Sequence, residues 1–301
     1  MHMKSSKVTL IFAMLIFGSI GLFVRNINLP STQIALARGT IGSIFILLIS
    51  YITRKKISWN SIKNNLVLLL ISGAAIGVNW IFLFESYKYT TIANATLSYY
   101  FAPVFITFLS PFILKEKLTF QKVLYTFAAM TGMYLIVGVG AEPGDTNHVL
   151  GIGFGLAAAA FYAGVVLMNK FIKNLTSMET TLMQLSIASL VLLPYVLATE
   201  TIKYTSIDMQ SLVLMIYVGI INTGLAYLLY FSTLPKLNAQ TIAVYSYIDP
   251  IFAIMLSNVF LREKMTLLQI IGGVLILGST LISELMCRRN DKIESKKMIS
   301  T

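Results

Sequence analysis

The chain is poor in charge, cysteine and histidine. Only 12% of its 301 residues are charged, against roughly a quarter in a soluble domain. That scarcity excludes an ordinary water-soluble fold. The single cysteine, Cys287, excludes an intrachain disulfide and a cysteine-built metal cluster. The two histidines, His2 and His148, are too isolated to begin a metal site. No Walker motif, metal-ligand spacing or nucleophile triad occurs. No cofactor is therefore expected, and an enzyme is disfavoured. Gly151-Ile-Gly-Phe-Gly155 looks like a phosphate loop on paper, but no strand precedes it. Small residues at that spacing, as at Gly73 and Gly77, serve close helix packing instead. Acids are scarcer than bases, and the net charge is +11. The bases are scattered between apolar runs, which fits membrane topology and not nucleic acid.

What the chain has is apolar length. Hydrophobic residues make up 56% and mean hydropathy is +0.79. About twenty apolar residues span a bilayer as a helix. Ten such spans are expected, at residues 8–25, 33–53, 65–85, 92–114, 121–140, 150–171, 179–198, 210–231, 240–261 and 267–286. The first follows Lys4 and Lys7, as a signal peptide would. No small-residue cleavage site follows it, so it reads as a retained helix. Seventeen of the 23 Lys and Arg residues fall on one side of this arrangement and five on the other, with Arg38 inside a span. The bias places both termini in the cytoplasm. The polar tail from Arg288 to Lys297 is expected to be disordered.

One span carries an acid. In Thr241-Ile-Ala-Val-Tyr-Ser-Tyr-Ile-Asp-Pro-Ile-Phe-Ala, Asp249 stands beside Pro250, about 14 Å into the span at roughly 1.5 Å per residue. A carboxylate at that depth faces protein or water rather than lipid. Proline withholds a backbone donor and bends the helix. The stretch has a counterpart 147 residues earlier. Pro103 aligns with Pro250, Phe105 with Phe252, Glu116-Lys-Leu-Thr119 with Glu263-Lys-Met-Thr266, and Ala102 with Asp249. Weaker matches pair Phe17–Arg25 with Phe161–Asn169 and Ser31–Leu36 with Ser177–Leu182. Each half holds five spans, an odd number, so the second half enters the membrane from the opposite side. The expected fold is an all-α membrane protein of ten transmembrane helices, built as two inverted five-helix repeats. These cover residues 1–141 and 149–287, with a cytoplasmic tail at 288–301. Such repeats place a binding site at their interface.

Two five-helix halves, each with a proline in its fourth helix and a closing Glu-Lys-(Leu/Met)-Thr, resemble the EamA family of the drug/metabolite transporter superfamily. The resemblance runs from about Val8 to Met286, and Arg38 sits where that family often has an arginine. It implies a secondary carrier of amino acids, amines, other small metabolites or drugs, working by alternating access. It implies a cavity among helices 1–4 and 6–9, with helices 5 and 10 outside. The family often carries Glu before the second proline; here the shorter Asp249 stands there.

The substrate-binding candidates are Asp249, Tyr245, Trp80, Tyr99, Asn79, Phe84, Tyr227 and Asn222. Asp249 is a counter-charge for a cation or a proton carrier. Tyr245 lies one helical turn before it. The aromatic rings, with Tyr100 and Tyr230, suit an amine through cation–π contact. Asn79 and Asn222 are the candidate polar contacts, although interhelical hydrogen bonding is the favoured role for such residues. Arg38 and Glu85, at similar depth on neighbouring spans, are expected to pair as a gate or structural bridge. Pro103 and Pro250 are the helix breaks. The expected partners are a small-molecule substrate, a proton or other ion and the lipid bilayer of a bacterial plasma membrane. The protein is expected to be a monomer or homodimer. The alternative is an anion or amino-acid carrier that uses Arg38, with Asp249 structural. A channel or a membrane-embedded enzyme is the remote alternative.

Overall fold

The computed structural model describes residues 2–54, 57–115, 120–139, 146–199, 207–233, 236–237 and 245–299. Most of those residues are helical, with no strand among them. The elements are α1 (His2–Gly18), α2 (Ile20–Arg25), α3 (Ser31–Ile52), α4 (Trp59–Asn64), α5 (Leu66–Tyr89), α6 (Ile92–Tyr99) and α7 (Ala102–Ile113). Then follow α8 (Phe120–Val139), α9 (Thr146–Asn169), α10 (Ser177–Thr199), α11 (Met209–Tyr217), a π segment (Val218–Leu225), α12 (Ala226–Thr233), α13 (Ile248–Leu261) and α14 (Leu267–Ile299).

Seven stretches are long and apolar enough to cross a membrane, and three shorter apolar helices accompany them, at Val123–Ile136, Ile248–Leu261 and Leu267–Ser279. Large apolar side chains cover the outside: Tyr51, Phe112 and Phe120 are each at least 80% exposed. Such a surface is stable against lipid and not against water.

Several spans are interrupted, the fourth and ninth near the prolines named above and the first and eighth where no break was expected. The first is split at Gly18–Ser19 into α1 and α2. The fourth is split at Tyr100–Phe101, so Pro103 falls in the first turn of α7, where its missing N–H costs little. The ninth is interrupted at Tyr247, with Pro250 again in the first turn of the following helix. The middle of the eighth is a π-helix. The tail, expected to be disordered, continues α14 as helix to Ile299. The midpoint loop at 141–145 and the first Glu-Lys-Leu-Thr motif, 116–119, lie outside the described residues.

Glycines set how closely the halves approach. A Cβ on Gly73 would lie 2.7 Å from Ile187 Cβ, and one on Gly219 would lie 2.6 Å from Ile41 Cβ. These contacts are 146 residues apart on both partners. Gly77 against Leu192 and Gly224 against Phe45 form a second such pair, offset by 147. The same two contacts thus recur with the halves exchanged: α5 on α10, and the π segment on α3. Helices α8 and α14 pack on each other, with Gly132 against Gly272 and a core of Met133, Ile136 and Ile276. Neither contributes to the cavity described next.

Candidate functional site

The broken helices surround a cavity of about 310 Å³, at the low end of small-molecule sites. Prolines explain part of its lining. In a continuous helix Pro103 and Pro250 would each face the carbonyl four residues back, which they cannot satisfy. Those carbonyls belong to Tyr99 and Ser246, and both residues line the cavity.

Asp249, in the first turn of α13, faces this cavity and is partly buried. Its carboxyl lies near the Tyr100 side chain at the break of the other half, close enough for the two to interact. The backbone at Asp249 is seated against Gly18: a Cβ there would lie 2.5 Å from the Asp249 carbonyl oxygen. Only glycine permits that approach, which ties the break in the first span to the acid. Tyr100 and Tyr247, equivalent residues of the two breaks, face each other at 6.4 Å between ring centroids.

Arg38, on α3, lines the same cavity and is 6% exposed. Its guanidinium lies 4.4 Å over Trp80 and 5.8 Å from the Phe84 ring. Its Nε donates to Thr223 Oγ1 at 2.8 Å. Asp249 and Arg38 are near enough for each to feel the other's charge. Among the described residues the two form no direct ion pair. Tyr99, Tyr162 and Tyr227 complete an aromatic wall, with Tyr99 and Tyr162 at 5.5 Å.

Of the residues expected from the sequence, Asp249, Arg38, Trp80, Tyr99, Tyr227 and Pro103 meet at the cavity, as do Tyr100 and Tyr230. Others do not. Asn79 is buried and donates to Ala158 O at 2.5 Å, joining α5 to α9. Asn222 is fully buried and donates to Ile16 O and Ser19 Oγ, at 2.5 and 3.0 Å, holding the break in the first span. Phe84 is fully buried beneath the Arg38 stack. Tyr245 packs with Leu10, Ala13 and Leu237. Pro250 is buried behind the acid. The expected Arg38–Glu85 pair is not formed. Glu85 sits 3.3 Å from Lys88 on its own helix, facing an outer groove, while Arg38 turns inward to Thr223. The two side chains face different surroundings, so their charges do not meet.

The charge contact that does join broken helices lies at their ends. Glu263 follows α13 and pairs through Oε1 with Arg25 Nη1 at the end of α2. Its Oε2 accepts from the Ile92 backbone N–H, at 3.0 Å, where α6 begins, and from Ser257 Oγ. In the sequence Glu263 stands out only as part of the repeated Glu-Lys-Met-Thr motif, and sequence reasoning named it at no site. That reasoning also missed Tyr87, Thr96 and Tyr162 on the cavity wall. Tyr162 carried a signal, since it aligns with Gly18 in the weak 144-residue repeat.

The EamA-like transporter family matches the chain twice, over residues 5–138 and 149–285. An uncharacterized transporter of Bacillus subtilis (strain 168), YxxF, is 30% identical over 295 residues, or 96% of this chain and 92% of that protein. An uncharacterized transporter of Archaeoglobus fulgidus is 27% identical over 262 residues, or 85% of this chain and 88% of that protein. A solved crystal structure at 19% identity shares the fold with a TM-score of 0.62, covering 95% of this chain and 98% of that one. This multi-pass membrane protein belongs to the EamA-like transporter family.

Proposed function

We propose that this family member is a secondary carrier of small organic solutes bearing an amine, best fitted by zwitterions such as amino acids. The single observation behind this reading is that Asp249 and Arg38, from opposite halves, face one cavity without pairing directly. Each keeps bonding capacity for a solute. An ammonium would sit between Asp249 and the rings of Tyr99, Tyr100 and Tyr227. A carboxylate would meet the Arg38 fork. The cavity volume favours metabolites over drug-sized molecules.

The carrier has ten spans in two inverted five-helix halves, 1–141 and 149–287, with both termini cytoplasmic. The exchanged glycine contacts support a two-fold relation between the halves. Transport proceeds by alternating access, with a proton or other ion as coupling partner. Solute occupancy shifts the equilibrium only through differential affinity for the two states. Glu263 is the closing contact at one end. It ties α2, α6 and α13, the parts of the three broken spans nearest that end, and opening there requires its release.

The test is solute-driven current in proteoliposomes, with amines, amino acids and organic anions as the panel, with and without a proton gradient. Saturable amino-acid currents lost in both Asp249→Asn and Arg38→Ala are expected. Currents carried equally by amines without a carboxylate, and retained in Arg38→Ala, would favour a plain amine carrier. Currents that survive Asp249→Asn would make that acid structural.

A further inference from the structure

An arginine recognises a carboxylate only if its plane points the right way. Stacking on Trp80 covers one face of the Arg38 guanidinium but leaves it free to turn about the stacking axis. Among the described residues its one hydrogen bond, Nε to Thr223 Oγ1 at 2.8 Å, removes that freedom. With Nε engaged in the wall, the Nη edge is left for the cavity that Arg38 lines.

Thr223 is itself tightly determined. It is fully buried, in the π segment. In an α-helix a threonine hydroxyl bonds the carbonyl three or four residues back. Here Thr223 Oγ1 donates to Val218 O, five residues back, at 3.0 Å. The wider turn thus takes up the hydroxyl proton and leaves the oxygen's lone pairs for Arg38. The methyl is placed just as firmly. A Cβ on Gly42, one turn after Arg38, would lie 2.6 Å from Thr223 Cγ2. The π segment is pressed onto α3 at Gly219 and Ile41 as well. A π turn inside a helix is uncommon and marks functional positions more often than chance.

We propose that Thr223 is a positioning residue: it orients Arg38 from the opposite half, through the Nε bond, and so sets selectivity for carboxylate-bearing solutes. This rests on the substrate reading above, but its primary readout does not. The chain has two tryptophans, Trp59 and Trp80, and Trp59 is 63% exposed on α4. In a Trp59→Phe background, emission reports on Trp80 and on the cation stacked over it.

The experiment compares Thr223→Val, which keeps the shape and loses the hydroxyl, with Thr223→Ser, which keeps the hydroxyl. Both are made in the full-length Trp59→Phe protein, with and without Arg38→Ala. Thr223→Val should change Trp80 emission, Thr223→Ser should restore it, and Thr223→Val should add nothing once Arg38 is gone. In proteoliposomes fed a mixture of the standard amino acids or of their decarboxylated amines, Thr223→Val should raise half-saturation about tenfold for the acids alone. Unchanged emission in Thr223→Val, or the same change with Arg38 absent, would overturn the proposal. So would acid currents that fall in Arg38→Ala but not in Thr223→Val. Currents indifferent to Arg38→Ala would instead overturn the substrate reading and leave the emission result to decide orientation.

Discussion

The fourth and ninth spans, where they enter α7 and α13, are alike at their prolines and do different work. Each breaks at a tyrosine, Tyr100 or Tyr247, three residues before its proline. Each ends on a basic residue in the left-handed conformation, Lys115 at φ 56° and Arg262 at φ 55°. Yet where the first has Ala102, the second has Asp249, and both face the same cavity. The partners in the first span differ as well. Gly18 admits the Asp249 backbone, whereas its counterpart on α9, Tyr162, fills space beside Tyr99. A duplicated backbone provides the cavity, and single side chains on one copy give it polarity.

The largest effect should come from erasing that difference. Asp249→Asn should fold and lower transport by roughly 100-fold, as loss of a charged contact implies. Ala102→Ser, at the matching place, should change the same proteoliposome current by less than about twofold. Equal losses from both would remove the asymmetry. Next, Gly18→Ala forces a methyl onto the Asp249 carbonyl and should cost about 1–3 kcal/mol in thermal unfolding in detergent. Gly164→Ala, on α9 with nothing within 4 Å of the added methyl, should be neutral or slightly stabilising in the same assay. A smaller change is expected from Glu263→Gln. It should loosen α2 and α6 from α13 and alter the maximal transport rate about threefold, with half-saturation nearly unchanged. Cysteine accessibility at the Ile92 end should rise in parallel, and unchanged accessibility would deny Glu263 a closing role.

The smallest effect lies outside the spans. Asp208 caps α11 by accepting from Ser211 N–H at 3.0 Å. The Ser211 hydrogen bonds, side chain first and then backbone, hold its carboxyl below the usual carboxylate range. A lowered folded value means the cap stabilises above the unfolded value and is lost as pH falls through the folded one. Asp208→Ala should therefore lower the midpoint of thermal unfolding slightly at neutral pH, and the difference from wild type should vanish in acid.

Some of the site was legible because transfer energetics leave a mark on the chain itself. A lone acid beside a proline, in a run otherwise apolar, has few tolerable surroundings, so Asp249 was found at once. Arg38 stood out for the same reason. Asn79 and Asn222 kept two readings open because an amide bonded to a neighbouring carbonyl and one facing a cavity look identical in sequence. Arg38 and Glu85 were paired by depth, but pairing also needs the right azimuth, which periodicity does not supply across separate helices. Tyr245 lay one turn from Asp249 only on the assumption of unbroken helix, and the break at Tyr247 cancels it.

The sequence by itself determined that this is a helical, multi-pass membrane protein with a duplicated pattern and a charged interior. Burial of long apolar runs and the cost of mid-span charge leave little choice. Only the tertiary structure decided where the helices break, which face each presents, that Thr223 holds Arg38, and that Glu263 meets Arg25. Those outcomes depend on sub-ångström packing between segments far apart in the chain, where a glycine hydrogen or a threonine methyl sets the approach.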